Sequence, residues 1–202
     1  MYAISMRSRT TALVGLTFTV AVAPAAARLT AGPATAVRVV ACAEHVEAAG
    51  PLPSNREIRE ARGTSIVVGA ITFWGLRRAQ DRQFGASGAR GDDGWKAGVS
   101  VRGYRAVAVR VAARDQAWIA LDYVQKPADR RPRYVADADS AVRFMPCPRG
   151  TRSFTNGRLL GAETGWAGGF LVARPGCAKL LVRRAGTARS ARIRIGFGVR
   201  CR

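Results

Sequence analysis

One histidine, His45, three lysines (Lys96, Lys126 and Lys179) and 13 acidic residues are all that this 202-residue chain has of the groups that carry most acid–base and metal chemistry. A single imidazole cannot build a histidine-rich metal site, and any Ser-His-Asp triad would have to pass through it. Ser87 lies in the glycine-flanked run Phe84-Gly85-Ala86-Ser87-Gly88, but the second glycine comes one residue too early for a G-x-S-x-G nucleophile elbow. Cys42, Cys147, Cys177 and Cys201 are separated by 104, 29 and 23 residues, far from the close pairs that zinc sites use. Asp92-Asp93 sits between Gly91 and Gly94, where Asp is a common turn residue, and adjacent acids do not make the alternating ligands of a calcium loop.

Other scarce features are equally uninformative as chemistry. Asp137, Asp139 and Glu163 supply carboxylates for a glycosidase-type pair, yet sequence sets no distance between them. Arg90-Gly91-Asp92 spells the tripeptide that integrins read, which in a chain with 30 arginines and 22 glycines is most simply chance. Gly165-Trp166-Ala167-Gly168-Gly169 neither follows a strand nor opens a helix, so it is not a phosphate-binding loop. Trp74, Trp95, Trp118 and Trp166 would suit a sugar-stacking platform, but tryptophan in a small sandwich is usually core. No catalytic, cofactor-binding or metal-ligating residues are therefore expected.

Long apolar runs are absent after Arg28. Before it, Arg7 and Arg9 precede 18 uncharged residues, Thr10 to Ala27, with Pro24 as helix breaker and Ala25-Ala26-Ala27 as the small residues a signal peptidase accepts. Residues 1–27 read as a signal peptide cleaved after Ala27, with Ala34-Thr35-Ala36 as a second possible site. The alternative is an uncleaved anchor, which Pro24 and the Ala/Thr-rich composition disfavour. Val39-Val40-Ala41-Cys42 has the small residue of a lipobox, but Arg28 and Arg38 separate it from the apolar run. Residues 28–40 read as a linker and 41–202 as the folded domain.

What the chain does have is arginine. The 33 Lys and Arg against 13 Asp and Glu give +20, and removal of residues 1–27 takes two arginines and no acid, leaving +18. An exported chain meets an oxidising space, so the four cysteines are expected to form two disulfides. Beyond Gly63 the apolar period is two. Val107, Val109 and Val111 share one face, and Ile193, Ile195 and Phe197 alternate with Arg192, Arg194 and Gly196. Six further candidate strands are Thr64 to Phe73, Trp95 to Val101, Ala117 to Val124, Ala141 to Met145, Gly169 to Ala173 and Ala178 to Arg183. A short helix over Asn55 to Arg62 is an equal alternative to an irregular turn. No helical pattern alternates with the strands, which predicts an all-β fold: an antiparallel sandwich or barrel of about eight short strands after the signal peptide.

Four cysteines allow three pairings. If Ala178 to Arg183 and Ala191 to Val199 form a hairpin turning near Gly186 to Ser190, Cys177 and Cys201 meet at its open end, which leaves Cys42 for Cys147. In the same hairpin, isoleucines that face the core turn Arg192 and Arg194 to solvent, with Arg183 on the neighbouring strand. The last acidic residue is Glu163, so nothing later in the chain neutralises them.

Gly69-Ala70-Ile71-Thr72-Phe73, Arg143-Phe144-Met145-Pro146-Cys147, Gly165-Trp166-Ala167-Gly168-Gly169-Phe170, Pro175-Gly176-Cys177 and Gly196-Phe197-Gly198 carry a resemblance. From about Gly69 to Cys201 the chain resembles a group of exported, arginine-rich β-domain proteins of high-GC actinobacterial type with no assigned activity. The resemblance implies an extracytoplasmic domain, and codon usage as one source of the arginine excess. The expected function is a secreted or cell-envelope-associated, non-enzymatic binding or structural domain whose basic surface meets anionic wall polymers or lipid head groups, with Arg183, Arg192 and Arg194 as candidate contacts. The alternative is a secreted hydrolase acting on wall carbohydrate. No nucleic-acid partner is expected, because export and the lack of a recognition motif argue against one.

Overall fold

The computed structural model describes residues 37–45, 63–84, 92–123 and 132–202, which form twelve strands and a few 3-10 turns. The proposed signal peptide, the possible helix over Asn55 to Arg62, Ser87 and the Arg90-Gly91 part of the tripeptide lie outside these residues. Every strand belongs to one of three sheets. The first is built from β1 (Arg38–Val40), β8 (Ala141–Phe144), β6 (Val107–Val111), β11 (Gly176–Arg184) and β12 (Ala191–Phe197), in that spatial order. The second has the order β2 (Ile66–Val68), β3 (Ile71–Phe73), β5 (Val99–Arg102), β9 (Glu163–Trp166), and the third β4 (Asp93–Lys96), β10 (Gly169–Val172), β7 (Ile119–Asp122). All pairings are antiparallel except that of β1 with β8. The all-β, sandwich-like architecture is the one the period-two pattern predicts.

Two expected strands divide. Thr64 to Phe73 is a hairpin of β2 and β3, turning at Gly69, whose φ of 58° is left-handed backbone that suits glycine. The break is visible as a change of phase, since the apolar positions pass from Ile66 and Val68 to Ile71 and Phe73. Trp95 to Val101 becomes β4 and β5, which lie in different sheets. Lys96 faces Gly169 and Val99 faces Trp166, so the ladders β4–β10 and β5–β9 keep one register across the gap. The Ala97 amide also donates to the Gly168 carbonyl at 3.0 Å. Two long strands thus run side by side and bend together from one sheet into the next. Gly169 permits the bend: a Cβ there would stand 1.9 Å from the Trp95 carbonyl oxygen. Strands β1 and β9 were not anticipated, and β1 occupies the last three residues of the stretch read as a linker.

The sheets close over one main core, with a small second cluster of Ala120, Val135 and Leu171 beside the third sheet. Trp166, Phe144, Tyr123, Phe170 and Phe197 form a connected chain of rings with centroids 5.2–6.0 Å apart, drawn from all three sheets. Such tilted and edge-on contacts suit the ring quadrupole. The Tyr123 hydroxyl is satisfied by donating to the Ala97 carbonyl at 2.8 Å, at the bend. Burial, with the neighbouring Asp122 charge adding to it, holds the Tyr123 phenol well above its ordinary value of 10.0. Trp118 and Trp166 are buried, while Trp74 and Trp95 are half-buried. Trp74 Nε1 donates to Ser100 Oγ and Trp166 Nε1 to the Ala41 carbonyl, both at 3.0 Å.

Two disulfides complete the frame. Cys177 joins Cys201 and Cys42 joins Cys147, the pairing that the hairpin argument predicts. The hairpin is present as β11 and β12, with Leu180 opposite Ile193 and Cys177 opposite Gly196 near the open end.

Candidate functional site

The five-stranded sheet gathers the charge. Its inner face carries Val109, Val142, Leu180 and Ile195, each at most 2% exposed. Alternation then sends the intervening residues outward. On β12 these are Arg192, Arg194 and Gly196, on β11 Cys177, Lys179, Leu181 and Arg183, on β6 Ala108 and Arg110, on β8 Ala141 and Arg143, and on β1 Val39; Ala141 and Gly196 are nevertheless buried. All five arginines are exposed and Lys179 is half-buried. Register sets their order: Arg192 faces Leu181, which faces Arg110, while Arg194 faces Lys179. Arg183 faces Ala108, which faces Arg143. Arg183 is a diagonal neighbour of Arg192, at about 7–8 Å between Cα atoms. Arg110 and Arg192 stand two strands apart, roughly 10 Å.

No strand residue on this face is acidic. Asp115 approaches it, but the carboxylate is buried and occupied: Oδ2 accepts the Lys179 backbone amide at 2.8 Å, and Oδ1 lies 3.7 Å from Arg114 Nε. Lys179 and Arg194 are like charges directly opposite one another, an arrangement that costs stability in a ladder. Arg194 Nη1 donates to a main-chain oxygen of Arg202 at 2.9 Å, a contact that fixes the guanidinium.

The three arginines expected to share a face, Arg183, Arg192 and Arg194, do share it. Arg110, Arg143 and Lys179 join them and were missed. Each is signalled by its own alternation, Arg110 among Val107, Val109 and Val111, and Lys179 between Ala178 and Leu180. What alternation lacks is the identity of neighbouring strands, so these charges could not be assembled into one surface.

The remaining chemistry-bearing groups take structural positions. Comparison of the chain with protein-family models, with curated proteins and with solved structures found no match. His45, Cys42 and Cys147 place ligand atoms within 4.8 Å of one another, but both sulfurs are committed to the disulfide and are not thiolates. His45 Nδ1 lies 2.6 Å from the Cys42 carbonyl, and its ring meets Phe154 edge-on. Asp92 and Asp93 do not form the expected turn: β4 begins at Asp93, and Asp92 Oδ2 accepts the amide of the distant Val135 at 2.6 Å. Glu163 lies in the second sheet and accepts from Ser100 Oγ, whereas Asp139 bridges Leu121 in the third. Asp137, the third carboxylate considered, ends the 3-10 turn Val135–Asp137, so only Glu163 of the three lies in a strand.

Proposed function

We propose that the chain is an exported, non-enzymatic binding domain of the cell envelope, whose five-stranded sheet presents an arginine-rich face to an anionic polymer or lipid head groups. One observation carries the reading: six basic side chains on one face of one sheet, with no acidic residue among them. Guanidinium groups pair with phosphate and carboxylate through two parallel hydrogen bonds, a geometry that an ammonium group cannot offer. The two disulfides fit an oxidising compartment. Among the described residues no helix is long and apolar enough to cross a membrane.

The magnitude is modest. Exposed ion pairs contribute about 0.2–1 kcal/mol each, so six in parallel reach at most about 6 kcal/mol, a dissociation constant in the tens of micromolar. Such binding rests on charge and weakens as salt screens it. The test is co-sedimentation with purified anionic wall polymer and with anionic liposomes across a salt series. Binding at low ionic strength that falls steadily with added salt is expected. No binding at low salt, or binding indifferent to salt, refutes the proposal.

A further inference from the structure

A second basic feature lies away from the sheet face, at the end where the first and second sheets part. The β11–β12 turn, the β2–β3 turn and the segment between β5 and β6 enclose a cleft of about 630 Å³ there. Its floor includes Val68, Val107 and Val182, all buried, and its mouth carries the exposed Arg102, Arg184 and Arg189. The volume falls within the roughly 300–1,000 Å³ of small-molecule sites.

The local backbone aims the charge. Arg184 follows Val182 by two residues and so shares the core-facing side of β11, emerging where the core ends. Its guanidinium lies against Gly103, where a Cβ would come within 3.3 Å of Nη2, and the φ of 89° there favours glycine. The turn that follows is fixed by the Thr187 amide and hydroxyl, which donate to the Arg184 carbonyl at 3.2 and 2.7 Å, with Gly186 at φ 80°. That turn places Arg189 across the mouth. The carboxylate nearest in register is Glu163, opposite Arg102, and it accepts from Ser100. None of the three guanidinium groups has a carboxylate partner among the described residues.

Apolar floor and cationic mouth together select a ligand with two ends. We infer that this cleft binds an anionic amphiphile, a carboxylate or phosphate head held by Arg102, Arg184 and Arg189 with a short apolar tail on the valines. The site is independent of the sheet face, whose residues do not line it.

The test is calorimetric titration of the full chain with decanoate, decyl phosphate, decanol and inorganic phosphate. Decanoate or decyl phosphate is expected to bind saturably at one site, the tighter of the two identifying the head group, while decanol and inorganic phosphate bind at least tenfold more weakly. Arg184→Ala and Arg189→Ala, both at exposed positions, are each expected to weaken binding about tenfold. Arg192→Ser with Arg194→Ser leaves it unchanged. The inference is overturned if neither amphiphile binds, if inorganic phosphate binds as tightly as decyl phosphate, or if the sheet-face pair weakens binding as much as Arg184→Ala.

Discussion

The two disulfides close loops of very different length, and that difference sets an order of stability. Cys42 and Cys147 are 105 residues apart in sequence, and Cys177 and Cys201 are 24 apart. Treated as loop-closure entropy of the unfolded chain, the first is worth about 4.8 kcal/mol and the second about 3.4 at 25 °C. The folded state adds to the contrast. Beside the longer bridge, β1 holds to β8 through three residues of parallel ladder, Trp166 Nε1 donates to the Ala41 carbonyl, and the Cys147 amide donates to Thr164 Oγ1 at 3.0 Å. The hairpin spanned by the shorter bridge keeps seven register pairs without it. Replacing Cys42 and Cys147 together by Ala should therefore lower stability by about 4.8 kcal/mol, or roughly 10–19 °C in Tm for a domain of this size. Replacing Cys177 and Cys201 should cost about 3.4, leaving a difference of about 1.4 kcal/mol, tenfold in the unfolding constant. Urea titration at neutral pH, followed by tryptophan fluorescence, reads both variants against the oxidised parent. Equal losses, or a larger loss for the shorter loop, would refute the loop-length argument.

Two further predictions follow from the bend. Gly169→Ala drives a Cβ into the Trp95 carbonyl and should cost about 3 kcal/mol or more, whereas Gly161→Ala, with nothing within 4 Å, should stay within about 0.5; a tolerated Gly169→Ala in the same urea assay contradicts the bend geometry. Tyr123 is held un-ionised by burial, so the stability it supplies is whole below its ordinary value of 10.0 and falls as pH rises toward the elevated folded-state range, because only the unfolded chain releases that proton. Between pH 10 and 11 the parent should lose about 1 kcal/mol more than Tyr123→Phe in matched urea titrations, and identical pH slopes would show that the phenol ionises in the folded state.

How much was legible in the sequence depends on how local the signal is. The β11–β12 hairpin and its disulfide were legible because both strands alternate cleanly and the turn between them is short and rich in Gly, Thr and Ser. The division of Trp95 to Val101 was not, because Ala97 and Gly98 interrupt neither the apolar pattern nor the pairing register and only the sheet changes. Strand β1 is three residues long and pairs in parallel with a strand a hundred residues later, so period and propensity carry almost no information about it. The candidate face was half legible for the same reason. Arg192 and Arg194 declare their outward orientation within one strand, and Arg183 comes with the hairpin. Arg110 and Arg143 belong to the face only because β6 lies between β11 and β8, an order set by long-range packing.

If the sheet face is the binding surface, binding depends on where the arginines stand, not on their number. Arg183, Arg192 and Arg194 replaced together by Ser remove three charges from the sheet face; Arg77, Arg78 and Arg158, exposed and outside that sheet, removed in the same way leave the net charge equally reduced. The decisive measurement is the affinity of both variants and the parent for a polyglycerol-phosphate chain at low salt. A loss of about tenfold or more is expected for the sheet-face variant and little change for the control. Equal losses in the two variants would mean that the charge acts diffusely, and would contradict it.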